Sequence, residues 1–326
     1  MQPLLLLPPN IRALLCCPAC HSGLEIAAHQ LTCTNSVCRR QYPIVDGIPV
    51  LINPESSVFG INDFISHHDT FFNTTAHGGI AKLLRLVPSI GKNIKGRPNF
   101  RRFSNLLLQQ STLPLVLVIG GSVLGEGMDF LAGNKAIALV ETDVSFGPRT
   151  MLICDAHDIP FRDASFDGVV LQAVLEHVID PYRCSEEVYR VSKEQALVYA
   201  ETPFMQQVHA GRYDFTRFTH LGHRRLFRRF QEIDSGAVCG PGMALAWSYQ
   251  YFLMSFATSR PLRAALRVFA SMTSFFLKYF DYYLIEKPGA LDAASGLYFM
   301  GRKTGQMLSD LELLKLYKGA QRSGGA

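Results

Sequence analysis

The chain has 326 residues, 48% of them hydrophobic and 18% charged, with a formal net charge of +5. That length holds one large α/β unit plus something smaller, and the composition is globular and slightly apolar. The basic excess is too small to argue for nucleic acid, which is not an expected partner, and it suits an acidic substrate or an anionic surface equally well. No window reaches the ~18 uninterrupted apolar residues of a membrane span. The nearest, 244–258 and 264–284, read as buried or interfacial helices.

Five of the eight cysteines fall between Cys16 and Cys38. The short uncharged run at 1–9 is no secretory signal, so the cluster reads as a metal site in a reducing, cytoplasmic compartment rather than a disulfide framework. Residues 11–53 form the first unit. Cys17-Pro-Ala-Cys20 is a C-x2-C knuckle, and Cys33-Thr-Asn-Ser-Val-Cys38 supplies a second pair. Zinc takes four thiolates in a tetrahedron, and two turn-borne pairs deliver them without a large core. The metal then supplies folding energy that so short a segment lacks. Cys17, Cys20, Cys33 and Cys38 are the expected ligands; Cys16 is the spare and His21 a bystander. Four thiolates leave no open position, so the role is structural.

Asn53-Pro-Glu-Ser-Ser57 reads as the exit from this unit. Residues 54–112 are expected to be a helical linker, punctuated at Gly78-Gly79, Pro88, Gly91, Gly96 and Pro98. Residues 113–305 form the large domain. Its short apolar runs are Leu115–Ile119, Ala136–Val140, Thr150–Cys154, Gly168–Leu171 and Ala196–Ala200. Their alternation with helical or loop segments predicts a parallel sheet with helices on both faces. A basic helix over 221–230 follows, and Phe230–Val238 and Leu297–Arg302 are the last two strands. The apolar insertion 240–290 between them is rich in aromatics beside Arg260, Arg263 and Arg267. It fits a lid or a homodimer surface, or a peripheral contact with the inner membrane face. Residues 306–326 are a tail, disordered from Lys318 onward.

Ile119-Gly-Gly-Ser-Val-Leu-Gly-Glu-Gly127 turns sharply after the first of these strands, and its glycines let a ligand approach the backbone. Asp143 ends the next strand, where a carboxylate can accept both ribose hydroxyls of a nucleotide-like cofactor; the alternative is a helix N-cap. A nicotinamide enzyme is the rival, but Ser122 stands at that fingerprint's central glycine. Tyr189-x3-Lys193 and Tyr283-x3-Lys287 are chance matches to its tyrosine–lysine pair.

The runs Cys154-Asp-Ala-His-Asp-Ile-Pro-Phe161, Ala164-Ser-Phe-Asp-Gly-Val-Val170 and Val174-Leu-Glu-His-Val-Ile-Asp-Pro181 carry a resemblance. Together they resemble the ubiquinone and menaquinone methyltransferase-like superfamily of class I S-adenosylmethionine-dependent methyltransferases, over about residues 114–204. The resemblance implies a Rossmann-like sheet and S-adenosylmethionine as cofactor. It implies that Asp155 bonds the adenine amino group and that Ala156 gives a backbone contact. Gly120, Gly121 and Ser122 would wrap the methionine and ribose end, and Gln172 would face the sulfonium. Val118 departs from the family's acidic residue, Ser122 from its middle glycine, and Arg190-Val-Ser-Lys-Glu-Gln from its proline- and glycine-rich turn. The cysteine pairs with Tyr42–Leu51 resemble the zinc-ribbon family of the small activator subunit of tRNA and protein methyltransferases, which implies a scaffold or interaction module.

The loop Phe204–His220 is dense in His, Arg, Tyr and Asp. Tyr213-Asp-Phe-Thr-Arg-Phe-Thr219 resembles a segment of methyltransferase-like proteins of polysaccharide biosynthesis, which implies a sugar or glycolipid acceptor. His209 is the candidate base, with Asp214 as its orienter or as an alternative base. Tyr213, Arg217 and His177 would shape or bind the acceptor; in a purely structural reading Asp214 and Arg217 pair with each other. The expected activity is methyl transfer to oxygen of a sugar, glycolipid or other small acceptor. The competing expectation is a non-catalytic relative that recruits a partner through the ribbon.

Overall fold

The computed structural model describes residues 5–27, 29–68 and 87–320. The expected Gly78-Gly79 punctuation and residues 321–326 of the tail lie outside them. Four strands open the chain: β1 (Leu24–Ile26), β2 (Gln30–Cys33), β3 (Gln41–Val45) and β4 (Ile48–Leu51). Seven follow: β5 (Leu115–Ile119), β6 (Ala138–Asp143), β7 (Leu152–Cys154), β8 (Phe166–Gln172), β9 (Ser192–Pro203), β10 (Phe230–Cys239) and β11 (Gly296–Lys303). The helices are α1 (Pro9–Arg12), α2 (Ile61–Ile65), α3 (Gly96–Gln110), α4 (Asp129–Ala132), α5 (Pro181–Val191), α6 (His220–Leu226), α7 (Pro241–Met254), α8 (Arg260–Ser274), α9 (Leu277–Leu284), α10 (Pro288–Asp292) and α11 (Asp310–Leu314).

β1 to β4 form an antiparallel ribbon. Asp46 and Gly47 take φ of 49° and 79°, the two-residue turn whose twist matches that of its flanking strands. Every residue of β4 is buried. The reason is its other edge, which pairs in parallel with β7, Val50 opposite Ile153 and Leu51 opposite Cys154. The ribbon is therefore the rim of one 11-stranded sheet, ordered β1-β2-β3-β4-β7-β6-β5-β8-β9-β11-β10. The sheet runs straight through the boundary expected after residue 53.

β5 to β9 are parallel, and β11 lies antiparallel between β9 and β10. The apolar runs are unbroken because each strand feeds two cores on alternate residues. Val116, Val118, Val170, Leu197 and Tyr199 pack with Phe100, Phe103 and Leu107 of α3. Leu117, Ile119, Val169, Leu171, Val198 and Ala200 pack with Cys184, Val188 and Val191 of α5. The expected strands are all present. β9 begins at Ser192, earlier than its apolar run, because Ser192 pairs with Phe166 across an irregularity in register. The basic helix is shorter than expected, and only the single turn α4 follows the glycine loop. The chain leaves β5 toward β6 on one side and returns to β8 on the other. The carboxyl ends of β5 and β8 thus flank a topological switch point, where open α/β sheets bind ligands.

In the insertion, Asp281 of α9 is fully buried and accepts hydrogen bonds from the N–H groups of Gly242 (2.6 Å) and Met243 (2.9 Å). It thereby caps the start of α7, whose Pro241 and Gly242 leave the first N–H groups without helical partners. Gln250 of α7 donates to Ser271 of α8 at 3.2 Å. Phe252, Phe269, Tyr279 and Tyr283 are exposed on these helices, and Phe256 in the turn after α7. Among the described residues no helix is long and apolar enough to cross a membrane.

Candidate active site

Two cavities open at the switch point and share Ile119, Gly120, Val123 and Ala173. Gly120 follows β5 at φ 73°, and a Cβ there would lie 2.6 Å from Val174 Cγ2, so only glycine fits. Ala173 follows β8 in the same left-handed region, at φ 55°. A non-glycine residue held there is local strain of a kind that gathers at functional sites.

The smaller cavity measures about 240 Å³. Ser122, Asp143, Asp155 and Ala156 line it among apolar walls that include Ile119, Val144, Val174 and Val178. Asp143 Oδ2 accepts from the Ser122 N–H and Oδ1 from Ser145 Oγ, both at 3.0 Å. A carboxylate offers about four acceptor positions, so one remains on each oxygen, enough for two hydroxyls. The loop after Asp143 is not helical, which removes the N-cap alternative. Asp155 is more fully engaged. Its Oδ1 accepts from the His157 N–H (3.0 Å) and from His157 Nδ1 (2.5 Å), and its Oδ2 from Ser57 Oγ (2.6 Å). One position on Oδ2 is left. Burial raises Asp155, but the bonds from His157 and Ser57 outweigh it and hold the carboxyl below its usual range. The Asp180 N–H donates to His157 Nε2 at 3.0 Å, which puts that ring's proton on Nδ1.

Gly121 and Gln172 do not line the smaller cavity. Gly121 lines neither cavity; its N–H donates to Thr142 O, which ties the loop to β6. Gln172 lines only the larger cavity, where its Nε2 donates to Glu201 (3.0 Å) and to Glu126 O (3.1 Å). Conversely, the strap leaving the ribbon contributes what the sequence reading missed. Val58 and Phe59 line the smaller cavity, and Phe59 stacks on Tyr213 at 5.6 Å.

The larger cavity, about 410 Å³, is walled by Lys92, Asn93, Glu126, Gln172, Glu176, Glu201, Gln206 and His209 beside apolar groups. Burial lifts the Glu201 carboxyl to about 7, although Tyr199, Gln172 and Asn93 all donate to it. His209 and Asp214 do come together: Nδ1 lies 3.4 Å from Asp214 Oδ2. Arg217 grips Asp214 with both terminal nitrogens and also holds Gln206 O and Gln207 O. Burial would raise Asp214, but Arg217 and the His209 N–H prevail and hold it at about 2. A carboxylate so fixed is no base. Its place beside His209 Nδ1 suits an orienter better than a base, and Arg217 is engaged by Asp214 and by the loop carbonyls. Glu176, passed over in the sequence as part of a signature, is fully buried, and burial lifts its carboxyl to about 8.

In the ribbon, the four sulfur atoms of Cys17, Cys20, Cys33 and Cys38 all lie within 4.8 Å of one another. Cys20 and Cys33 approach to 3.4 Å, and Cys17 and Cys38 to 3.8 Å. The first knuckle closes through Cys17 N–H to Ser22 O and His21 N–H to Cys17 O, both 2.8 Å, with His21 at φ 56°. Cys16 stays outside the cluster; its N–H donates to Pro160 O and ties the ribbon to the main sheet. Four converging thiols on two turns fit a tetrahedral zinc ion.

Residues 127–200 match the family described as Methyltransferase domain, and residues 13–47 match the family described as Trm112p-like protein. The chloroplastic 2-phytyl-1,4-beta-naphthoquinone methyltransferase of Arabidopsis thaliana is 36% identical over 73 residues, 21% of this chain. The chain spans about a quarter of that relative's length, 27%. Similar solved structures include Haemonchus contortus phosphoethanolamine N-methyltransferase 2 in complex with S-adenosyl-L-methionine (16% identity, 76% of this chain and 60% of that one, TM-score 0.42). Another is a complex containing the Haloferax volcanii Trm112 methyltransferase activator (17% identity, 70% of this chain and 99% of that one, TM-score 0.35). The two matched stretches are thus the cysteine ribbon, similar to Trm112p-like proteins, and the part of the Rossmann-like domain from the glycine loop to β9, similar to methyltransferase domains.

Proposed function

We propose that the protein transfers a methyl group from S-adenosylmethionine to an oxygen of a small, hydroxyl-rich acceptor such as a sugar or a sugar headgroup. The observation that carries this reading is the pair of cavities meeting at Gly120 and Ala173. One has the size, apolar walls and two-position carboxylate of a nucleoside site; the other is lined by amides and carboxylates suited to hydroxyl groups.

S-adenosylmethionine, when bound, supplies an electrophilic methyl group whose C–S bond breaks with its electron pair passing to sulfur. The chain's part is placement and proton handling. The free acceptor positions of Asp143 take the ribose hydroxyls, and the one left on Asp155 takes the adenine amino group. Gly120 allows close approach at the junction, and Gln172, Glu201 and Asn93 orient the acceptor. His209 Nε2 takes the acceptor's hydroxyl proton and passes it to water. Asp214 steadies the imidazolium. Burial holds His209 below its usual range, which keeps the ring neutral and ready as a base at physiological pH.

Calorimetric titration of S-adenosylmethionine and S-adenosylhomocysteine into zinc-loaded protein tests the cofactor half. Micromolar binding supports the reading and justifies a screen of sugar acceptors. A folded, zinc-loaded chain that binds neither refutes it and leaves the partner-recruiting alternative.

A further inference from the structure

Glu176 is fully buried, and neither of its carboxylate oxygens accepts a hydrogen bond among the described residues. Two imidazoles face the same oxygen: His177 Nε2 lies 3.7 Å from Glu176 Oε1 and His209 Nε2 lies 3.8 Å from it.

The protons of both rings are accounted for on their far sides. His177 Nδ1 sits 2.8 Å from the carbonyl oxygen of Tyr213 and donates to it. His209 Nδ1 faces Asp214 Oδ2 at 3.4 Å and Arg217 Nη2 at 3.5 Å. Arg217 Nη2 has two N–H bonds, and shorter contacts to Asp214 (2.8 Å) and Gln207 O (3.1 Å) use both. The proton between His209 and Asp214 therefore belongs to the imidazole. Each ring then turns an Nε2 lone pair toward a carboxylate that has no donor of its own. A ring nitrogen fixed by a carbonyl or a carboxylate on its far side is the outer-shell pattern of metal-ligating histidines.

Three electron-pair donors, one of them the fully buried Glu176 and two on half-buried rings, repel one another unless a proton or a cation sits among them. We propose that Glu176, His177 and His209 form a second metal site, for a divalent transition cation, at the junction of the two cavities. Their ligand atoms all lie within 4.8 Å of one another. Bonds of about 2.1 Å to a tetrahedral ion would set such ligands about 3.4 Å apart, so each imidazole need close on Glu176 by only a few tenths of an ångström, and the two imidazoles on each other by up to about an ångström, to complete the site. The two-imidazole, one-carboxylate donor set suits zinc, iron(II), manganese or cobalt(II), and three protein ligands leave a position open. Glu176 and His209 line the larger cavity and His177 the smaller, so the open position faces the transfer point. The backbone holds the frame: the N–H groups of Phe215 (2.8 Å) and Thr216 (3.3 Å) both donate to Glu176 O.

What the open position takes rests on the methyltransferase reading: an acceptor oxygen, made more acidic by the cation. His209 is then a ligand and not the base. The acceptor's hydroxyl proton goes to water, oxygen bonds the methyl carbon, and the C–S pair goes to sulfur.

The test uses the full chain with its ribbon loaded with zinc, titrated with Co2+ and followed by visible absorption. The expected result is one equivalent of Co2+ bound with d–d bands but without the sulfur charge-transfer band of a thiolate site. Glu176→Gln and His209→Ala should each weaken binding by more than about 100-fold, beyond what loss of an outer-shell partner costs. Circular dichroism and S-adenosylhomocysteine titration check that both variants are folded. No Co2+ bound by a zinc-loaded wild type that binds S-adenosylhomocysteine overturns the site and spares the activity. Unchanged Co2+ binding by folded Glu176→Gln also overturns it. Co2+ bound by a protein that ignores the nucleoside keeps the site and sinks the methyltransferase reading.

Discussion

Replacing Asp143 by asparagine removes one acceptor from the proposed ribose site while leaving the loop intact. The Ser122 N–H needs an oxygen and sits 3.0 Å from Oδ2, so the amide oxygen takes that place. The amide nitrogen then faces Ser145 Oγ, which can accept from it as readily as it now donates. Both internal bonds survive, and the fold should lose less than about 1 kcal/mol. What disappears is one of the two vacant positions, now occupied by a donor. A hydrogen bond to a charged group contributes roughly 1.5–3 kcal/mol. At about 1.4 kcal/mol per decade, S-adenosylhomocysteine should bind roughly 10- to 150-fold more weakly. Isothermal titration calorimetry at neutral pH reads this directly, with a urea curve as control. Affinity equal to wild type would refute the ribose assignment. A large loss accompanied by a shifted urea midpoint would refute the claim that the loop is preserved.

Three further outcomes are expected. Metal analysis should find one zinc held by the cysteine cluster, and Cys33→Ser or chelation should release it and lower the melting temperature of the whole chain, because β4 belongs to the main sheet. His223 is wholly buried between Phe218 and Phe227, and burial holds its imidazole at about 3. The unfolded ring binds a proton near pH 6.5 and the folded ring does not until about pH 3. Its contribution is therefore intact above pH 6.5 and drains away as pH falls, by up to about 1.4 kcal/mol per pH unit. The urea midpoint of His223→Phe should gain on wild type steadily from pH 7 to pH 4.5, and a constant difference would contradict the assignment. Asp281→Ala leaves the N–H groups of Gly242 and Met243 without an acceptor and should destabilise the insertion by about 2 kcal/mol or more, read as a lower urea midpoint.

The strands were readable because two-sided burial writes itself as unbroken apolar runs, as in Leu115–Ile119, and the zinc ligands because turn geometry restricts their spacing. The position of Asp143 at the end of β6, on the wall of the smaller cavity, follows from the same strand pattern. The docking of β4 on β7 was missed, although Ile48-Pro-Val-Leu51 carried the two-sided signature; it was read as part of the ribbon alone. Ser57 and Phe59 gave no signal, because a linker reaches a cavity through tertiary packing and not through periodicity. Gly121 and Gln172 fall outside the smaller cavity because adjacent residues on a turn or strand end face different sides. Glu176 was hidden by its own setting, one acid in an apolar stretch whose unpaired oxygens only the fold reveals.

The parallel pairing of β4 with β7 carries a practical consequence for anyone dividing the protein. A fragment beginning at residue 54 would bare the flank of β7 that Val50 and Leu51 now occupy. It would present unpaired N–H and C=O groups beside a strand of fully buried apolar residues. Such a margin invites pairing with a second copy and aggregation. Besides carrying a metal, the ribbon is the selvage of the cloth, the finished border that keeps the sheet from fraying into its neighbours.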